Sequence, residues 1–82
     1  MSYSPFHVTI TNVAGALYDA PAQFITVPSV EGTATILAHH EPLIALLEKG
    51  TITILDSTDE TKIFSIESGV LEVSNNRAIV IT

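Results

Sequence analysis

The 82-residue sequence has no cysteine and no tryptophan. Without cysteine there is no disulfide and no thiolate metal site. A chain this short that folds without disulfides fits the reducing interior of a cell. Cations are scarce. Lys49, Lys62 and Arg77 stand against nine acids, for a formal net charge of -6. Phosphate backbones are bound by clustered Lys and Arg, so nucleic acid and anionic lipid are not expected partners. Long apolar runs are missing too. The longest, Leu43 to Leu47, is far short of the ~20 residues that span a bilayer. The opening MSYSPFHVT lacks the cationic region and apolar core of a signal peptide. No direct membrane insertion is expected. There is no repeat, low-complexity segment or linker, so the expectation is a single domain over residues 1–82 with no second domain.

What is present is alternation. Phe6, Val8 and Ile10 alternate with His7, Thr9 and Thr11, and Ile52 and Ile54 with Thr51 and Thr53. Phe64 and Ile66 alternate with Ser65 and Glu67, and Leu71 and Val73 with Glu72 and Ser74. A period of two sends one set of side chains to a core and the other to water, which marks half-buried strands. Turn chemistry separates them: Asn12-Val13-Ala14-Gly15, the polar loop Asp56 to Glu60, and Ser74-Asn75-Asn76-Arg77. Asn tolerates the positive φ that both central residues of a type I′ hairpin need. Short strands at close spacing point to a sandwich or barrel. One segment resists. In Glu41 to Gly50, Pro42 stands at a possible first helical position and Gly50 past a possible end. Local rules alone read it as a helix of about two turns.

The chemical motifs are weak. His39-His40-Glu41 offers at most two convergent ligands, because neighbours in an extended chain point to opposite faces, and zinc needs more. His7 is the only other histidine and reads as an outward strand position. Asp56, Asp59 and Glu60 lack the spacing and central glycine of a calcium loop, and exposed acids of this kind keep ordinary pKa values. Ser29 and Ser68 have no GxSxG elbow, and no phosphate-cradling glycine motif occurs. No catalytic residue, metal, nucleotide site or cofactor is expected. The residues alone leave a binding or structural module. A carbohydrate- or peptide-binding sandwich is one form, though sugar platforms display aromatics and only Tyr3 and Tyr18 are on offer.

Two stretches resemble a known family. EGTATILAHHEPLIALLEKG, from Glu31 to Gly50, is similar to a segment that reads roughly EGELGVLPGHAPLLTALKPG. SGVLEVSNNRAIVIT, from Ser68 to Thr82, is similar to SGGFLEVSNNKVTVLA. Both segments belong to the epsilon subunit of the rotary F-type ATP synthase. Phe6 to Val27 follows that family's opening strand, turn and second strand. The resemblance implies an all-β fold, a flattened β-sandwich of about ten short strands in two sheets, with the PLIALL segment from Pro42 to Leu47 extended rather than helical. It implies a non-catalytic rotor part of the central stalk. Such a part packs on the gamma subunit and sits on the polar loops of the c-ring, at the cytoplasmic face of the energy-transducing inner membrane. It also implies that Glu31, Gly32, Thr33, His39, His40, Glu41 and Pro42 form loops docking on the c-ring.

The departures bear on those loops. Thr35 and His39 stand where the family has glycines, Ala38 where it has proline, Thr33 where it has an acid, and Glu41 where alanine is common. Glycine permits conformations that Thr and His resist, so either these positions need no positive φ or the loop has another shape. Family members commonly continue into a C-terminal helix pair that carries inhibition of ATP hydrolysis. The sequence ends at Thr82, so that activity is not expected of it. The start at Met1 fits a naturally short subunit better than an excised piece.

Overall fold

The computed structural model describes residues 5–82. They form eight strands and, among the described residues, no helix. These are β1 (Phe6–Asn12), β2 (Gly15–Ser29), β3 (Gly32–Leu37) and β4 (Leu43–Leu47), then β5 (Gly50–Asp56), β6 (Thr61–Ile66), β7 (Gly69–Ser74) and β8 (Arg77–Ile81). The all-β expectation holds, with eight strands in place of about ten. One reason is β2, whose 15 residues run unbroken through both layers of the fold.

The first part of β2 pairs with β1, from Phe6 opposite Ala22 to Asn12 opposite Gly15. The second part pairs with β3 on one edge and β5 on the other. The register shifts between Ala22 and Phe24 against β5, and such an irregularity lets a strand bend. The two sheets are therefore one continuous hydrogen-bonded surface folded on itself, in the order β1-β8-β7-β4-β2-β5-β6 with β3 beside β2. β1 and β8 run parallel, and every other pairing is antiparallel.

Alternation places the core as the sequence implies. Phe6, Val8, Ile10, Ile52, Ile54, Ile66, Leu71 and Val73 are buried, joined by Ile25, Val27, Ile36 and Val80. Each large aliphatic removed from water contributes on the order of 1.5–3 kcal/mol. His7 points outward, as expected. Asn75 and Asn76 take φ of 50° and 58°, the double left-handed turn that a two-residue hairpin requires.

The helix suggested by local rules for the segment from Pro42 to Lys49 does not form. Leu43 to Leu47 is β4, paired residue by residue with β7 from Val73 to Gly69. Five residues in a helix would satisfy little of their own backbone, whereas the strand pairs both itself and the β7 edge. After β4 the chain bends at Glu48–Lys49, where the Glu48 N–H donates to the Pro28 carbonyl at 2.9 Å. Gly50 then passes so close to β2 that a Cβ there would sit 2.9 Å from Pro28 Cβ.

Candidate functional site

Glu31 and Gly32 lie at the β2–β3 turn, with Thr33 just inside β3. Ser29 is the one buried polar residue of the described chain, and its Oγ accepts the Glu31 N–H at 3.0 Å. Gly32 has φ of 123°, a conformation open to glycine and costly to any L side chain. The turn is thus fixed by one hydroxyl and one missing Cβ, and Glu31, Gly32 and Thr33 are all exposed.

His39, His40, Glu41 and Pro42 lie in the connection from β3 to β4. His39 adopts φ of 63°. It takes the left-handed conformation itself, at a cost of about 1–2 kcal/mol. Its N–H donates to Asn76 Oδ1 at 2.7 Å, which ties the connection to the β7–β8 hairpin. Thr35 is different. It sits inside β3 opposite Thr26, in ordinary extended backbone. Of the two positions in question, one needed positive φ and one did not. The His40 ring is half-buried, and its Nδ1–H donates to the Glu41 carbonyl at 2.7 Å. That bond fixes the tautomer and leaves Nε2 free.

β3 holds the two loops apart, since Gly32 and Leu37 stand at its opposite ends. The chain returns, however. Leu43, next after Pro42, lines a groove of about 400 Å³ whose other wall is the turn from Val30 to Thr33. None of His39, His40, Glu41 or Pro42 lines it. No three His, Asp or Glu side chains converge as a metal set among the described residues. Tyr18 is no free platform for a sugar. Its hydroxyl donates to the Pro21 carbonyl at 3.0 Å and its ring meets Phe64 edge-on, with centroids 6.1 Å apart. Tyr3 lies outside the described residues.

The structure adds a surface that the motif reading did not pick out. Leu46 stands opposite Val70, and Val70 opposite Ile81, so three apolar side chains form a row across β4, β7 and β8. Ile44 extends it, and Val30 borders it through a 3.0 Å bond from its N–H to the Leu46 carbonyl. All five side chains are exposed, Ile44 at 72%. A contiguous exposed apolar patch marks an interaction site. The signal was in the sequence: the run Leu43 to Leu47 is apolar at both parities, which a strand shows when both its faces are covered.

Two acids elsewhere carry structure rather than chemistry. Asp56 Oδ1 accepts the Thr58 N–H at 2.8 Å, its hydroxyl at 2.7 Å and the Glu60 N–H at 2.9 Å. The Thr58 hydroxyl leads in lowering its pKa, followed by the Glu60 N–H, so this exposed acid does not keep the ordinary value the sequence suggested. Asp19 pairs with His7 Nε2 and accepts the Thr9 hydroxyl at 3.2 Å across β1 and β2, and these bonds lower its pKa, His7 first.

With this geometry in view, the comparisons with known proteins agree with one another. The sequence model of the family described as "ATP synthase, Delta/Epsilon chain, beta-sandwich domain" matches residues 5–82. ATP synthase epsilon chain 2 of Burkholderia orbicola is 37% identical over 73 residues, which cover 88% of this chain and 48% of that one. The chain spans about half the length of the curated relatives it matches. Among solved structures, a chain of the Euglena gracilis mitochondrial ATP synthase, resolved as OSCP/F1/c-ring, superimposes with a TM-score of 0.89 at 20% identity. The match covers 100% of this chain and 53% of that one. A chain of the Tetrahymena thermophila mitochondrial ATP synthase central stalk and c-ring gives 0.78 at 20% identity, covering 99% and 65%. At such identity the two structures speak for the fold.

Proposed function

The chain belongs to the beta-sandwich family of ATP synthase delta and epsilon chains, and from that premise we propose that it is a rotor subunit of a proton-translocating F-type ATP synthase. In this reading it is a single non-catalytic domain of the central stalk. It joins gamma to the c-ring and lies at the cytoplasmic face of the energy-transducing membrane, held there by its partners. The family match over residues 5–82 carries the reading.

The surface supports a division of labour. The apolar row of Leu46, Val70 and Ile81, with Ile44, suits a tightly held partner, because durable interfaces have apolar cores. We assign it to gamma. The loops Glu31–Thr33 and His39–Pro42, exposed apart from the half-buried His40, suit the c-ring as rim contacts on a rigid scaffold. A docking loop must keep its shape while the partner turns with it. The Ser29–Glu31 bond and the His39–Asn76 bond give the two loops that rigidity.

Co-purification tests the reading. The chain mixed with recombinant gamma should elute as a complex and should turn over no substrate alone. Separate elution of two folded proteins would overturn it.

A further inference from the structure

We propose that the groove between the β2–β3 turn and β4 is a strand-addition site for an extended segment of a protein partner, one that places an apolar side chain in the groove and a Lys or Arg beside Glu31. The inference rests on the backbone edge of β4 and does not require the rotor assembly; the outward side chains of Ile44 and Leu46, which border the groove, belong to the face assigned to gamma.

The β2-facing edge of β4 is only partly paired. Successive residues of a strand aim their N–H and C=O groups at alternate edges. The Leu46 carbonyl accepts the Val30 N–H, and the Glu48 N–H donates to Pro28. Leu46 and Glu48 therefore face β2, and so does Ile44. But β2 reaches β4 at a single pair, Ser29 with Leu47, and turns away at Val30. Ile44 meets no strand on that edge among the described residues. Its donor and acceptor point along the line β2 would have followed. A lone strand edge is a template for another chain, and strand addition is an established mode of peptide recognition.

The walls define the occupant further. The inward-facing apolar side chains of the lining are Ala34, Leu43 and Ala45, half-buried against the core. Two are small and leave room for a visitor's apolar side chain. Glu31 is the sole charged residue of the lining, on a chain of net charge -6. An occupant carrying a cation at that end complements it, whereas a second copy of this acidic chain does not. With no lining aromatic or cation, a sugar or an anion finds no anchor. The turn that closes the groove is already held by Ser29, so little order has to be imposed on binding.

The test is an NMR titration of the isotope-labelled full chain with acetyl-Lys-Val-Thr-Val-Thr-amide. Saturable shifts at the Ile44 and Leu46 amides, with slowed hydrogen exchange at Ile44, are expected. The same peptide N-methylated at every backbone amide should lose them. Replacing its Lys by Glu should weaken binding by about threefold, the scale of an exposed ion pair, and Glu31→Gln should abolish that difference. Glu31 is exposed, so this variant keeps the fold. The proposal is overturned by the absence of saturable shifts at millimolar peptide, by equal binding of the N-methylated peptide, by shifts centred on another strand edge, or by a response that reports only self-association.

Discussion

The two outer faces of this fold are built from similar strands and differ in their central rows. Across β3, β2 and β5 the central outward row is Thr35, Thr26 and Thr53, with the first two hydroxyls 2.9 Å apart. Ile63 continues that row opposite Thr53, and the neighbouring row of Leu37, Phe24 and Leu55 is apolar, with Leu37 exposed and the other two half-buried. Across β4, β7 and β8 the corresponding row is Leu46, Val70 and Ile81. Thr and Ile are both good strand formers, so the backbone is indifferent to the choice. Water is not, since each exposed aliphatic forgoes the stabilisation that burial would give. The difference between the faces therefore concerns company, and one of them is shaped to be covered.

The largest effect sharpens the contrast between inside and outside on a single strand. Leu71→Ala should cost about 2–5 kcal/mol in chemical denaturation, while Val70→Ala next to it should stay within about 0.5 kcal/mol. Comparable losses would mean that Val70 is part of the core. Gly32→Ala comes next, at about 1–3 kcal/mol, because alanine must adopt φ of 123°. The two β3–β4 histidines should separate. His39→Gly should raise stability by about 0.5 kcal/mol, as relief of left-handed strain outweighs the added freedom of the unfolded chain. His40→Ala should leave stability within about 0.5 kcal/mol and weaken assembly with the c-ring. A large thermal loss in His40→Ala would move that residue from the docking loops to the structural ones.

The smallest effect is acid sensitivity. Asp19 and Asp56 have pKa values lowered from 3.8 by the hydrogen bonds they accept when folded. A group of this sign contributes fully above its unfolded pKa and loses that contribution as pH falls through its folded pKa. Thermal melts should thus be flat in this respect above about pH 4 and decline below it. Asp56→Asn should flatten part of that decline. Both groups are exposed, so the slope should be shallow and sensitive to salt.

Much of the fold was legible because burial and alternation are the same fact seen twice. Phe6, Val8 and Ile10, or Leu71 and Val73, can occupy one face of a strand and be buried there. Asn75-Asn76 was legible for a similar reason, since few residue pairs accept two positive φ angles. The segment after Pro42 was not legible locally. Its caps fit a helix, and only β7, more than twenty residues away, makes it a strand. The candidate loops were legible in position and not in shape. The family's glycine at the His39 position raised the question of a positive φ but could not settle it, because the Asn76 bond that holds φ at 63° comes from across the fold. The apolar row was the least visible, for the pairing that aligns Leu46, Val70 and Ile81 is long-range.

The central claim is that the apolar face, and not the threonine face, binds gamma. Calorimetric titration of gamma with Ile44→Asp/Leu46→Asp and, separately, with Thr26→Asp/Thr53→Asp tests it most directly, with each variant first shown to be folded. The account predicts that the first pair loses affinity by at least thirtyfold, equivalent to about 2 kcal/mol, and that the second binds as the unaltered chain does. Equal binding by both variants, or a loss confined to the threonine face, would contradict it.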